Sequence, residues 1–358
     1  MNGDTPSRSE AQHQADRIRA LRHDLAHLER ENILTLTPHQ KATLDLWSTQ
    51  TLARLAARFD IDTSDSQRRL SWGLRIASTL GGFALCAALV LFFLHFWGFL
   101  DTPIQIACAT ALPLAALAAT EFAARREHTL YFAGLLALIA LGAFILNLSV
   151  LGRVFNITPT EGALLAWGLF SLLLAYRYGL RLLLIAALGL LLCWGSAALI
   201  ARSGFYWLNF GERPEHFLVM GVITFAVPLA IPHRRHTDFP AVYRLAGIFS
   251  FLASVLLLSA SGNSSYFPLD TKTIERAYET LGIFSSAAFI ALGIRRQWDG
   301  AVNLSAAFFV VFLYVRLFHW WWDWMPRYLF FAIIGAIAIA LVLAFKRVRT
   351  HLKQENPA

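Results

Sequence analysis

About ten apolar stretches follow one another from residue 74 to residue 345, separated by short turns that arginine marks on alternate sides. A helix crossing a bilayer needs roughly 17–25 mainly apolar residues, because lipid offers its backbone no hydrogen-bond partners. The stretches near 74–97, 103–122, 130–151, 162–176, 182–201, 216–232, 242–260, 278–294, 300–317 and 328–345 fit that need. Composition agrees: 57% of the 358 residues are hydrophobic and 15% charged, too little charge to cover a soluble body of this size. The expected fold is all-α, a polytopic transmembrane helix bundle of about ten spans.

Charge sets the expected threading. Placing residues 1–73 in the cytoplasm puts 24 of the 31 lysines and arginines on that side, and seven outside. The inner turns hold Arg125 and Arg126, Arg177 and Arg181, Arg234, Arg235 and Arg244, Arg295 and Arg296, then the basic tail. Basic residues near span ends are retained in the cytoplasm, so both termini are expected inside a bacterial inner membrane. One span more or fewer would put the later arginine pairs outside. The net charge of +8 follows from these turns and calls for no nucleic acid. The first span is expected to serve as its own uncleaved insertion signal.

Three regions follow: a polar head at 1–71, a membrane domain at 72–347 and a basic tail at 348–358. In the head, Leu21, Leu25 and Leu28 recur at helical spacing among charges. Thr37-Pro38-His39-Gln40 is a helix start: Thr37 can cap, Pro38 suits the first position, and Gln40 can return a bond. Leu44, Trp47, Leu52, Leu55 and Phe59 then form an apolar stripe. Two helices over 17–59, turning at Asn32–Thr37, make a small cytoplasmic helical hairpin with little core of its own. Such a hairpin is expected to need a protein partner, a second copy or the membrane face. Residues 60–70 read as a polar linker.

The runs LERENILTLTPHQ, LSVLGRVFNITP and RLFHWWWDWMPRYLFFAIIGAIAIAL resemble the bacterial predicted membrane proteins grouped as domain of unknown function 2157. The resemblance implies a multi-span membrane protein with an N-terminal helical segment. It brings no established activity and no catalytic residue.

The densest polar and aromatic cluster lies between the last two stretches. Arg316, His319 and Asp323 share one helical face there, Trp320, Trp321, Trp322 and Trp324 lie among them, and Arg327 follows. Indole rings favour the headgroup region, so an interfacial anchor explains the aromatics. Arg316, His319, Asp323 and Arg327 are also a candidate outer-face site for a lipid or another ligand, with membrane lipids as the expected partner. His95, Arg153, Glu161, Arg213, Glu215, His216 and Asp270 lie in other outer turns, with nothing in the sequence to show that they converge.

No Asp, Glu, Lys or Arg falls centrally in any predicted span, which argues against ion or proton coupling. Asn147 is expected to bond between helices, and Glu121 to pair with Arg125 one turn on. Alanine recurs every fourth residue at Ala107, Ala111, Ala115 and Ala119, and again at Ala332, Ala336 and Ala340. Such shallow stripes let helices approach closely, and both are expected to be buried. Cys86, Cys108 and Cys193 lack ligand spacing, so neither a disulfide framework nor a metal site is indicated. No phosphate-binding glycine loop, nucleophile elbow or zincin helix occurs, and no cofactor is implied.

Three functions remain open at this stage. One is a non-enzymatic membrane component whose head engages a partner. Another is a carrier of an uncharged or lipidic solute, built from five-span halves at 72–201 and 216–347. The last is a lipid-modifying enzyme at the outer face that uses the His319 and Asp323 region.

Overall fold

The structure is a computed structural model. It describes residues 8–31, 33–59, 80–88, 101–126, 131–204, 206–233, 236–321 and 326–329, with positions 77, 91, 92, 95, 332, 333, 335 and 336. Among these residues all regular structure is helical. The linker, the tail, and much of the stretches at 74–97 and 328–345 lie outside the described residues.

Helices α1 (Arg8–Arg30) and α2 (Pro38–Phe59) form the head. The Gln40 backbone N–H donates to Thr37 Oγ1 at 3.4 Å, and the Thr37 N–H donates to Gln40 Oε1 at 3.0 Å. This reciprocal pair satisfies amides that a helix start leaves open, and Pro38 sits where no donor is lost. The two helices pack through Ala15, Ile18, Leu52 and Leu55. At the rim, Lys41 donates to Glu29 at 2.7 Å and Arg22 to Asp45 at 3.1 Å; water screens both pairs, so they add little. Trp47 departs from its expected place in the stripe. It is 50% exposed and Leu46 59%, because the inward face of α2 runs through Ser48, Leu52 and Leu55.

Among the described residues, eight apolar helices with defined ends follow. They are α3 (Thr102–Arg126), α4 (Tyr131–Val154), α5 (Gly162–Tyr178), α6 (Arg181–Arg202), α7 (Glu215–Ala230), α8 (Phe239–Ala260), α9 (Thr271–Arg295) and α10 (Asp299–Trp321). Six of them are long and apolar enough to cross a membrane, and α5 and α7 are the shorter two. Each overlaps one predicted stretch. The largest disagreements are at α9, which starts at Thr271 rather than 278, and at α10, which continues through Trp321. Lys272, Glu275 and Arg276 decorate the first turns of α9, so an apolar window misses them although the backbone is helical.

The chain divides into two compact units, Met1–Phe210 with Thr224–Ala246, and Gly211–Ile223 with Gly247–Ala358. This division departs from the predicted halves, since α7 and α8 each contribute to both units. In the first unit, Leu138, Leu141, Leu174, Leu183, Leu184 and Leu188 build a core with Phe239 and Tyr243 of α8. Gly179 ends α5 at φ 69°, where a side chain would be strained, and the Leu180 N–H returns to Ala175 O at 3.1 Å. That turn folds α6 back so that Ser171 Oγ donates to Leu183 O at 2.8 Å in the interior.

The second unit is zipped by glycines. A Cβ on Gly282 of α9 would lie 2.3 Å from the Phe312 ring of α10, and one on Gly293 would lie 2.7 Å from Val302. A Cβ on Gly221 of α7 would meet Gly247 O and Phe251 N of α8, each at 2.9 Å. Small residues bring these backbones together where lipid supplies no hydrophobic drive.

Candidate functional site

Extension of α10 relocates the predicted arginine. Arg316 lies within the helix, and its NH1 donates to Glu279 Oε2 on α9 at 3.2 Å. Glu279 is 2% exposed and the Arg316 side chain 28%, so this ion pair belongs to the helix packing. Each charge in such a pair loses hydration that its partner helps to offset, which ties α9 to α10. Arg316 thus has a carboxylate on α9 as a partner. His319 occupies α10 as well, Arg327 is exposed in a short helical segment, and Asp323 lies outside the described residues. Glu279 falls at the edge of the apolar stretch at 278–294. With the true start of α9 known, it stands two turns inside.

Also in the second unit, Arg213, Glu215 and His216 converge on one residue. The Tyr266 backbone N–H donates to Glu215 Oε1 at 3.0 Å, and its hydroxyl bonds His216 Nε2 at 3.0 Å. The Arg213 guanidinium lies 4.7 Å from the Tyr266 ring centroid and donates to Ser265 O at 2.6 Å. Glu215 Oε2 and His216 Nδ1 are buried without a hydrogen-bond partner among the described residues. Asp270 of the same unit takes another role: its carbonyl accepts the Thr273 and Ile274 N–H groups at the start of α9. Tyr266 escaped the sequence reading because a lone tyrosine in a loop carries no spacing signal.

The first unit has its own polar end. Glu121 of α3 accepts from Arg125 Nε at 3.0 Å, from Arg177 NH2 at 3.1 Å and from the Tyr178 hydroxyl at 2.9 Å. Beside it, the Tyr176 hydroxyl bonds both His233 Nε2 at 2.7 Å and the Tyr243 hydroxyl at 3.2 Å. His236 Nε2 bonds Tyr176 O at 3.0 Å, its ring stacks on Phe239, and Arg181 pairs with Asp238. Of this group, sequence spacing identified only Glu121 with Arg125. The other partners are 56 to 67 residues apart in sequence, on helices or in the loop between α7 and α8.

The packing residues are placed as follows. Asn147 of α4 donates to Ala109 O of α3 at 2.7 Å. Ala107, Ala111 and Ala115 are exposed and Ala119 is half-buried, because the packed face of α3 is Gln105, Ala109, Pro113 and Thr120. The alanines that do pack densely are Ala133, Ala137, Ala140 and Ala143 of α4, each at most 1% exposed. Ala332 and Ala336 are exposed, and Ala340 lies outside the described residues. Among the described residues no three His, Cys, Asp or Glu side chains form a group that could hold a metal, and the three cysteines are free.

Neither a curated protein nor a solved structure matches this chain. Of the three runs that carry the family resemblance, only LSVLGRVFNITP falls within the segment matched by a family model. That segment, residues 43–184 from within α2 to the start of α6, matches the family described as Predicted membrane protein (DUF2157).

Proposed function

We propose that this protein is a ten-span component of the bacterial inner membrane, with both termini cytoplasmic, which binds a protein partner through its head and performs no chemistry of its own. One observation carries the reading. The head buries an apolar core of Ala15, Ile18, Leu52 and Leu55, yet leaves Leu21 47%, Leu46 59% and Trp47 50% exposed. Covering such a surface stabilises by about 25 cal/mol per Å² of apolar area, a gain that matters to a core of four residues. Photo-crosslinking residues placed at Leu46 and Trp47 of the full chain in cells should give one discrete adduct, absent when the group is at Ala42 or Thr49, exposed positions on another face of the same helix. A second copy as partner would give an adduct of twice the chain's mass. Diffuse labelling at every position would overturn the reading.

The buried Glu279–Arg316 pair favours a second reading, a carrier. Ionisable residues inside membrane helices mark solute paths more often than they serve stability. An uncharged or lipidic solute that crosses reconstituted vesicles with the wild type but not with Glu279→Gln would support it. Equal passage with both proteins, or with neither, would remove it.

A further inference from the structure

The Arg126 end of α3 and the Arg177 end of α5 meet around a single carboxylate in the first unit. Glu121 Oε1 takes Arg125 Nε and Arg177 NH2, and Oε2 takes the Tyr178 hydroxyl and a longer contact from Arg177 at 3.4 Å. Both oxygens are thus occupied, and one negative charge is shared by two guanidiniums. Arg126 adds another positive charge: its guanidinium lies 4.2 Å above the Phe122 ring and makes no ion pair among the described residues. Among the described residues, three arginines therefore stand against one carboxylate. Arg181, nearby in sequence, is balanced by Asp238 and lies outside this group.

These guanidiniums are held on one edge and open on the other. Arg125 bonds Glu121 through Nε, its terminal nitrogens bond nothing among the described residues, and its side chain is 77% exposed. Arg177 bonds through NH2 alone, and its side chain is 56% exposed. A guanidinium already oriented by a carboxylate loses less freedom when it grips a second anion, and its planar fork matches two phosphate oxygens. Phe122 lies beneath, 58% exposed, at the end of a helix long and apolar enough to cross a membrane. An aromatic ring below and guanidinium N–H groups above suit a molecule that is apolar at one end and a phosphate at the other.

We infer that Arg125, Arg126 and Arg177 form a binding site for a phosphate group, supplied by the headgroup of an anionic lipid. The test uses the full chain in a neutral detergent, titrated with phosphatidylglycerol, phosphatidylcholine or inorganic phosphate. Bound lipid is counted by native mass spectrometry, and unfolding temperature is followed in parallel. Phosphatidylglycerol should bind and raise the unfolding temperature, and phosphatidylcholine should do neither. Loss of two charge-assisted contacts in Arg125→Gln/Arg177→Gln should weaken phosphatidylglycerol binding about tenfold or more. That double variant also strips Glu121 of partners and could unfold. Arg126 pairs with no carboxylate among the described residues, so Arg126→Gln should weaken binding while leaving the lipid-free unfolding temperature unchanged. Arg181→Gln should bind as the wild type does. Undiminished phosphatidylglycerol binding by Arg126→Gln and by the double variant would overturn the site. Equal protection by inorganic phosphate would overturn the lipid as its source.

Discussion

Asn147 supplies the hydrogen bond that Pro113, one turn after Ala109, cannot give. Proline has no N–H, so Pro113 leaves the carbonyl of Ala109, four residues back, without its helical donor, and Asn147 Nδ2 supplies one from α4 at 2.7 Å. Both proline and asparagine are costly inside a membrane helix when alone. Placed together, each answers for the other.

This coupling makes a testable cycle. Asn147→Ala should destabilise the protein by about 1–3 kcal/mol, since it leaves a buried carbonyl without a partner. Pro113→Ala restores the helical donor, and on that background Asn147→Ala should cost much less. Thermal unfolding in detergent of the four proteins measures the difference. An equal cost in both backgrounds would mean that Asn147 does not serve the carbonyl opened by Pro113.

The Glu279–Arg316 pair should behave as a unit. Arg316→Gln removes the arginine that faces a carboxylate 2% exposed and should cost about 3–5 kcal/mol. Adding Glu279→Gln should recover most of that loss, because a neutral amide needs no counter-charge. Denaturation of the single and double variants decides the matter, and simple additivity would sink the claim that the two charges depend on each other.

The two alanine registers of α3 make opposite forecasts. Ala109 is 1% exposed and packs with Leu146 and Val150 of α4, so Ala109→Leu should overpack the contact and destabilise by about 1–3 kcal/mol. Ala111 faces outward, and Ala111→Leu should leave the unfolding temperature of a single copy unchanged. If Ala111→Leu is also destabilising, the stripe is covered by something other than the described helices.

In the head, Thr37→Ala removes the cap of α2 and should cost about 1 kcal/mol. Amide exchange should then accelerate over residues 38–42 and remain unchanged at the far end of the helix. Uniform exchange before and after the substitution would show that the pair with Gln40 contributes nothing.

The threading proposal has its own measurement. Reporter fusions after Arg126, after Arg181 and after Arg296 should all report cytoplasm. A periplasmic report at one of the three would place a span-count error between that site and its neighbour.

What was legible in advance is what local chemistry dictates. The capping pair of Thr37 and Gln40 depends on residues three apart, and Glu121 with Arg125 on residues four apart. Both distances are set by the helix itself. The boundaries that failed did so for one reason. Hydropathy sees the buried part of a helix, whereas the first turns of α9 carry Lys272, Glu275 and Arg276 and the last turn of α10 carries His319. Charge concealed helix there, and with it the position of Glu279 and Arg316.

By itself the sequence determined the class of molecule, the approximate position of each described apolar helix and the start of α2. These follow from how many consecutive residues avoid water and from bonds made within one turn. Only the tertiary structure decided which carboxylate holds Arg316, that Asn147 serves the carbonyl opposite Pro113, and which alanines are covered. The physical reason is rotational. An apolar helix in lipid has no polar side to reveal which face turns inward, so its orientation is set by the neighbours it packs against.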